Sequence, residues 1–532
     1  MYPFKESYTP TLSPVDVVLI YPPVSKPSEP PAGVARLKGA LQAHGISCRI
    51  IDANLGGLEF LLSESFEPQN VAEAVALHRR HLNRRLIASL STFKRFDRYK
   101  ASVLELNRHL AAVASRKNAF ISLTDFGLTG LSPHKSNDLL AAAEKPQLSP
   151  FYDYYAAELI PTIDRLAPKL IGVSIVYLSQ ALPAFALLGL LRRHFFGVKL
   201  VIGGGLVTSW LSRPNWRDPF VGLIDRCIAG EGEAPLLQEM GCTETRTPFG
   251  LPDYNDTPPQ NYFSPLPVIP YNTSAGCWWR RCRFCPETAE QSVYRAIPSD
   301  QALRELQALA GVKAGLYHLL DNAVPPALLR RLAEEPLPAP WYGYVRFSEE
   351  LADQEFVHRL RDNGCVMLQL GLESGDQAVL DAMEKGIDLR IAGAALRCLK
   401  KAGIGAYVYL LFGTPWENQE SARKTLHFVA EHAESICGLN AAIFNMPSHS
   451  TAAGDYAVRS FSEGDLSLYT DFEHPCGWKR AAVRRFLQDE FRSHPAVRRI
   501  VNAVPPAFTS NHAPFFHPSF HKVRSHAHST VL

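Results

Sequence analysis

Three cysteines, Cys277, Cys282 and Cys285, lie within nine residues in the stretch NTSAGCWWRRCRFCPE. Closely spaced thiols can hold a structural zinc ion, form a reactive thiol pair or bind an iron–sulfur cluster. A structural zinc site takes four ligands, and this loop offers three thiols and no histidine. A reactive pair does not need a third cysteine. An iron–sulfur cubane held by three thiolates leaves one iron open to a small molecule, so we expect a cluster here whose fourth ligand is a substrate.

The elements around this loop form a regular series. Apolar, β-branched runs that predict strands recur at about 267–275, 316–321, 341–347, 366–374, 406–413 and 439–447, and amphipathic segments that predict helices lie between them. Six β/α units in succession predict a partial (β/α)6 barrel over residues 271–450. Chemistry in such barrels lies at the carboxyl ends of the strands, and the three cysteines follow the first strand.

An earlier series predicts a second α/β domain, a doubly wound parallel sheet, over residues 1–242. Helical, polar sequence at about 58–165 predicts an insertion, whose basic residues indicate a solvated face rather than a nucleic-acid site. Ligands of such sheets bind beyond the carboxyl ends of the strands. The residues that we expect there are Pro22, Pro23, Ser174, Gly203, Gly204, Gly205, Gly230 and Glu231.

Composition narrows the class of protein. The 532 residues carry a net charge of +3, which implies no strong polyanionic partner. Residues 170–191 carry no charge, but their β-branched first half and Pro183 predict a buried strand and helix, so we expect no membrane span. No signal-peptide pattern opens the chain, and the other seven cysteines are scattered, so we expect a cytoplasmic protein. The proline-rich residues 243–270 predict a linker, and residues 451–532 a C-terminal extension.

The cysteine loop resembles that of radical S-adenosylmethionine (SAM) enzymes, although four residues separate its first two cysteines where three are commoner. Residues 370–386 and 410–420 resemble the segments after the fourth and fifth strands of that family. The resemblance implies a [4Fe–4S] cluster on the three cysteines, SAM on its open iron and an external electron donor. The residues that it implies near SAM are Phe284, Asp321, Asn322, Glu373, Ser374, Gly413, Pro415 and Glu417.

Residues 11–55 and 166–240 resemble the cobalamin-binding domain that precedes the barrel in one radical SAM subfamily. Glycines suit this role, because a corrin and its nucleotide tail must approach the backbone closely. The loop after the first strand, PPVSKPSEPPAG, holds no histidine, so we expect cobalt without a histidine ligand from the protein. A flavodoxin-like sheet that binds no corrin is the alternative on fold grounds.

The resemblance implies a cobalamin-dependent radical SAM enzyme, and we expect one that methylates an unactivated carbon. One SAM would supply the methyl group through cobalamin, and a second would supply the 5′-deoxyadenosyl radical. Ring formation or rearrangement by the same cofactors, without methyl transfer, is the alternative within the family. A non-enzymatic cobalamin or metal sensor is the alternative of another class. The substrate stays open among small molecules, lipids and peptides, and no catalytic side chain is identified.

Overall fold

The computed structural model describes residues 13–93, 95–214, 216–243, 250–312, 314–460, 464–504 and 513–516. Two parallel sheets follow one another along the chain, as the alternating pattern predicts. Within the described ranges no helix is both long and apolar enough to cross a membrane. The uncharged stretch 170–191 forms a buried strand and most of a buried helix, as predicted.

The first sheet has five parallel strands in the order β2–β1–β3–β4–β5. Its strands are β1 Val17–Tyr21, β2 Cys48–Asp52, β3 Leu170–Ser174, β4 Lys199–Gly203 and β5 Arg226–Cys227. Helices Ala32–Ala43, Ala53–Ser63, Leu178–His194, Gly205–Leu211 and Glu233–Glu239 accompany them. Val17 and Leu19 pack into one core and Val18 and Ile20 into another. Both faces of the sheet are therefore covered, as in doubly wound folds.

The inserted segment packs on one face of this sheet. Its longer helices are Val71–Ile87, Phe96–Ser115, Ser136–Glu144 and Ile160–Leu166. It also contains a short antiparallel hairpin, Ala119–Ile121 with Phe126–Leu128, which the helical pattern did not predict. Leu106, Leu110 and Phe151 from this segment share a core with β1.

The proline-rich stretch, of which residues 244–249 lie outside the described ranges, is more than a linker. Lys38 on helix Ala32–Ala43 is 4% exposed and bonds Asp256 at 2.6 Å. Asp256 also accepts from the backbone N–H of Ile50 in β2 at 2.8 Å. Phe263 donates its N–H to the carbonyl of Pro27 at 2.7 Å. These buried polar contacts fix residues 253–263 against the first sheet, just before the barrel begins.

The second sheet has six parallel strands in sequential order, β6–β7–β8–β9–β10–β11, which is the partial barrel that the repeat predicts. The strands are β6 Val268–Tyr271, β7 Leu316–Leu319, β8 Trp341–Val345, β9 Cys365–Glu373, β10 Gly405–Phe412 and β11 Gly438–Ile443. Helices Ser299–Ala308, Pro326–Leu332, Gln354–Asp362, Leu389–Ala402 and Gln419–Glu431 connect them.

The chain beyond β11 closes both ends of this barrel. Strands Met446–Pro447, Val458–Ser460 and Tyr469–Phe472 form a small antiparallel sheet. Helices Arg480–Phe486 and Pro495–Asn502 follow it. Ala513 and Phe516 pack against Val268, Leu316 and Tyr342, near the amino ends of the barrel strands.

Candidate active site

The cysteine loop leaves the carboxyl end of β6 and is tied back by a short antiparallel pairing of Ser274–Ala275 with Arg295–Ala296. Gly276 has φ +70°, and a Cβ there would lie 2.9 Å from the carbonyl oxygen of Val293. A side chain at position 276 is therefore excluded on two grounds, strain and contact. This turn sends the chain into the loop that carries the three cysteines at the carboxyl edge of the barrel.

The three thiols are free and lie on one compact loop. Cys282 is buried, while Cys277 and Cys285 are partly buried. The N–H of Cys285 donates to the carbonyl of Cys282 at 3.1 Å. Burial raises the pKa of both Cys282 and Cys285, that of Cys285 to about 11, and each also feels the charge of a neighbouring cysteine. Iron binding must therefore displace protons from these thiols.

The donor set fits a cluster better than a single ion. In the described part of the chain, no three His, Cys, Asp or Glu side chains converge closely enough to hold one metal ion. A structural zinc site needs four converging ligands. In an iron–sulfur cubane each thiolate binds a different iron, so the thiols need only surround the cluster.

Two cationic side chains, Arg346 and Lys385, lie beside the cysteine loop, and no sequence motif indicated either of them. Arg346, directly after β8, places Nη1 4.0 Å from Sγ of Cys282 and donates to the carbonyl of Lys385. Lys385 bonds Glu373 at 2.8 Å, and its ammonium lies 5.5 Å from the centre of the Phe284 ring. The predicted residues Phe284 and Glu373 are thus brought together at the loop through Lys385.

Asp321 and Asn322 also reach the loop, but through protein contacts. Asp321 is 1% exposed and accepts bonds from the hydroxyls of Thr273 and Ser274 and from the N–H of Thr273. Burial raises the pKa of the Asp321 carboxyl. The amide of Asn322 donates to Glu287 at 2.9 Å, just after Cys285. Asp321 therefore stabilises the start of the cysteine loop, and Asn322 stabilises its end.

Ser374 is fully buried after β9, and its partners belong to the protein. Its hydroxyl lies 3.3 Å from that of Thr425 and accepts from the N–H of Asp376 at 3.1 Å. Gly375 donates its N–H to the same Thr425 hydroxyl at 2.9 Å. Ser374 therefore shapes the turn that carries Glu373.

The segment after β10 is held by the C-terminal extension. Glu417 is buried and accepts from the N–H of Gly413 and from the indole N–H of Trp478, the latter at 3.0 Å. Burial raises the pKa of Glu417 to about 7. His474 bonds the carbonyl of Thr414 at 2.8 Å, and Pro415 is buried between these contacts. The geometry of this turn rests on Trp478 and His474, to which the sequence patterns assigned no role.

A cavity of about 660 Å³ lies where the carboxyl edge of the first sheet meets the cysteine loop. Ser174, Gly203, Gly204, Gly230 and Glu231, which are among the expected cobalamin contacts, line it. Its opposite wall is Asn272, Ser274, Ala275 and the chain from Arg295 to Pro298. Pro22, Pro23 and Gly205 were predicted here as well, but they do not line the cavity. The carbonyl of Pro22 instead accepts from Gln180 at 2.6 Å, and Gly205 begins a helix.

The shape of this cavity suits a large ligand that enters between backbone segments. Its floor runs down the sheet face past Leu19, Val201 and Ile228, so it is apolar at depth. At Gly33 an added Cβ would meet no protein atom within 4 Å. Gly204 has φ +105°, and a Cβ there would lie 2.5 Å from the carbonyl oxygen of Ile175. Gly33 therefore leaves open space at the cavity wall, whereas Gly204 holds a close backbone turn that a side chain would not allow.

The barrel interior forms a polar chamber that the sequence did not indicate. The strand register places Tyr344, Gln369 and Tyr409 on the inner face, and the Tyr409 hydroxyl bonds the other two at 2.9 and 3.0 Å. Glu29, from the loop after β1, bonds Nδ1 of His318 on β7 at 2.9 Å. The first domain therefore reaches directly into the barrel.

Among the buried polar atoms of this chamber, Nε2 of His318 and the hydroxyl of Tyr342, whose rings stack at 4.2 Å, have no hydrogen-bond partner among the described residues. Polar atoms left unpaired in a dry interior are rare. Tyr177, three residues after Ser174, is 54% exposed, and desolvation and the charge of Glu29 raise its pKa.

Comparisons with known proteins agree with this architecture. Residues 271–429 match the family model of the Radical SAM superfamily. An uncharacterized methyltransferase of Pyrococcus horikoshii is 23% identical over 319 residues, which are 52% of this chain and 67% of that protein. The anaerobic magnesium-protoporphyrin IX monomethyl ester cyclase of Cereibacter sphaeroides is 23% identical over 37% of this chain and 33% of its own length.

The fold has a counterpart among solved structures. The radical S-adenosylmethionine methyltransferase TsrM from Kitasatospora setae, solved with cobalamin and a [4Fe–4S] cluster bound, superposes with a TM-score of 0.50. The match has 16% identity and covers 85% of this chain and 78% of TsrM. Residues 271–429 therefore match the Radical SAM superfamily, and the parallel sheet followed by a partial barrel is a fold that this chain shares with TsrM.

Proposed function

We propose that this chain is a cobalamin-dependent radical SAM methyltransferase that acts on an unactivated carbon. One observation carries the proposal: a single cavity is lined on one side by the glycine-rich sheet edge and on the other by Ser274 and Ala275, two positions before Cys277. A corrin on the first wall would therefore face SAM on the cluster loop. When bound, the cofactors supply the methyl group and the 5′-deoxyadenosyl radical, which is chemistry that no side chain supplies.

The side chains of the protein hold the cofactors in position and keep water away from them. Cys277, Cys282 and Cys285 are the proposed cluster ligands. Glu373 and Phe284, linked by Lys385, are the proposed contacts to SAM that the structure leaves at the loop surface. Asp321, Asn322, Ser374, Gly413, Pro415 and Glu417 support the SAM site through the backbone turns that they hold.

Substrate binding is proposed in the chamber between these two cofactor sites. Tyr177 lies three residues after the cavity residue Ser174, while Tyr344 and Tyr409 lie on the inner face of the barrel. Hydroxyl groups at these places can orient a substrate by hydrogen bonds, and the surrounding rings keep water away from a radical. An external one-electron donor is required to start each turnover.

The test is anaerobic reconstitution with iron, sulfide and cobalamin, followed by incubation with SAM that carries a deuterated methyl group, a reductant and a small-molecule extract. Methyl transfer predicts 5′-deoxyadenosine and S-adenosylhomocysteine in equal amounts, and a product heavier by the labelled methyl group. Cys282→Ala is the matched control and should give neither nucleoside. If the fully loaded chain gave neither product, the proposal would be refuted.

A second function is favoured by the likeness to the cyclase of Cereibacter sphaeroides. Radical ring formation would use the same cluster and cobalamin but would transfer no methyl group. It predicts 5′-deoxyadenosine without matching S-adenosylhomocysteine, so the same assay separates the two functions.

A further inference from the structure

Arg346 is a partly buried cation beside the cysteine loop. Its guanidinium lies 4.2 Å from the centre of one Trp279 ring and 5.6 Å from that of Trp278. One nitrogen approaches Sγ of Cys282 at 4.0 Å, and another donates to the carbonyl of Lys385. The side chain is therefore fixed on three sides, with one edge directed at a cluster thiol.

No carboxylate pairs with Arg346 in the described part of the chain. Glu373 is bonded to Lys385 at 2.8 Å and not to Arg346. A partly desolvated cation gains from a negative charge nearby, and cluster thiolates would supply that charge beside Arg346.

Two of the four residues between Cys277 and Cys282 are tryptophans that pack beside Arg346. Trp279 donates its indole N–H to the carbonyl of Glu384 at 3.0 Å, which fixes the ring against the turn after β9. Trp278 meets Trp279 edge to face at 6.0 Å. The two rings form a wall over Arg346, and the cation–π contacts hold its charge away from water.

We propose that Arg346 is the resident counter-ion of the iron–sulfur cluster and raises its reduction potential. This inference rests on the proposed cluster at the three cysteines. Reduction adds one electron, delivered by an external donor, and one negative charge to the cluster, with no bond made or broken in the protein. A fixed positive charge and an N–H directed at a ligating sulfur both favour the more negative, reduced state.

The experiment measures the midpoint potential of the reconstituted cluster by a redox titration followed by electron paramagnetic resonance (EPR), without substrate or turnover. Arg346→Gln removes the charge, and Arg346→Lys keeps it. Arg281→Gln is the matched control, because it removes the same charge from an exposed position on the cysteine loop. Iron content and circular dichroism are measured on each variant to confirm loading and folding.

We expect Arg346→Gln to lower the ratio of reduced to oxidised cluster at a fixed potential by tenfold or more, which for a one-electron couple is about 59 mV. Arg346→Lys and Arg281→Gln should stay near the wild-type potential, the latter because water screens its charge. A fully loaded Arg346→Gln variant with the wild-type potential would overturn the proposal. So would an Arg281→Gln shift as large as that of Arg346→Gln.

Arg346→Lys keeps the inference testable if Arg346→Gln takes up no iron. It should then load iron and titrate at the wild-type potential, and a clear negative shift would overturn the role of charge. If the wild-type chain itself assembles no cluster, the proposed function fails. If wild type loads and only the expected shifts are missing, the role of Arg346 alone fails.

Discussion

Asp321, which follows β7, can be interpreted either as a contact to SAM or as a support for the cysteine loop. By resemblance it would lie near SAM, whereas the structure uses it to hold Thr273 and Ser274, four and three positions before Cys277. In Asp321→Asn the amide oxygen can still accept from both hydroxyls. The amide nitrogen, however, replaces the oxygen that lies 3.3 Å from the N–H of Thr273, so two donors face each other.

The loss is therefore about one hydrogen bond to a charged acceptor, or about 1.5–3 kcal/mol. If this loss lowers the free energy of local opening by the same amount, amide hydrogen exchange in residues 270–276 should become about 10- to 150-fold faster. The assay is hydrogen exchange with mass spectrometry on the metal-free chain. Asp388→Asn is the control, because Asp388 caps a remote helix and Asn caps helices equally well.

Unchanged exchange over residues 270–276 in Asp321→Asn would refute this account of the loop. If the same variant then bound SAM more weakly in the loaded enzyme, Asp321 would face SAM as the resemblance implies. Faster exchange in Asp388→Asn at the same peptide would show that the effect is not local.

Three further predictions follow from single residues. Glu417→Gln should remove a pH dependence of the free energy of unfolding. Burial raises the pKa of Glu417 from 4.5 to about 7. Wild type therefore loses stability as pH rises between these values, by about 3 kcal/mol in total. The difference in Tm between variant and wild type should therefore grow up to about pH 7 and then level off. Gly386→Ala should displace Trp279, since the new Cβ would lie 2.1 Å from its ring, and should change tryptophan fluorescence and lower iron uptake. Gly33→Leu should weaken cobalamin binding about 5- to 150-fold in an absorbance titration, because the side chain fills the cavity at an overpacking cost of about 1–3 kcal/mol.

Each of these three predictions has a control variant or an outcome that would contradict it. A constant Tm difference from pH 4.5 to 8 would mean that Glu417 is not a buried acid. Gly403→Ala shares the left-handed strain of Gly386→Ala, with φ +73°, but its Cβ meets no atom within 4 Å, so it should load iron normally. Gly33→Ala should bind cobalamin almost as well as wild type. If Gly33→Leu did too, the cavity would not be the corrin site.

The parts of the fold that follow from local patterns were predictable. Repeating strand and helix periods identified both parallel sheets, because residues buried on both faces of a sheet must be apolar along their whole length. The three cysteines were visible because one loop carries them all. Glycines at strand ends also indicated the cavity, because glycine is needed at the positions where the backbone turns sharply or must be approached closely.

Contacts between distant segments were not predictable. Arg346 meets Cys282 from a strand 64 residues away, and Glu29 meets His318 across 289 residues. Nothing in the local sequence of either pair indicates its partner. Asp321 and Glu417 were placed at the right strand ends, but burial and partners decide whether a carboxylate faces a ligand or holds a turn. Sequence position does not report that difference.

The most direct test of the central claim is the EPR spectrum of the reduced, reconstituted chain before and after addition of SAM. Three thiolates and one open iron predict about four irons per chain and a spectrum that changes when SAM binds the open iron. Variants with alanine at Cys277, Cys282 or Cys285 should show no such cluster signal. A wild-type chain that binds no iron, or a loaded cluster whose spectrum ignores SAM, would contradict the account.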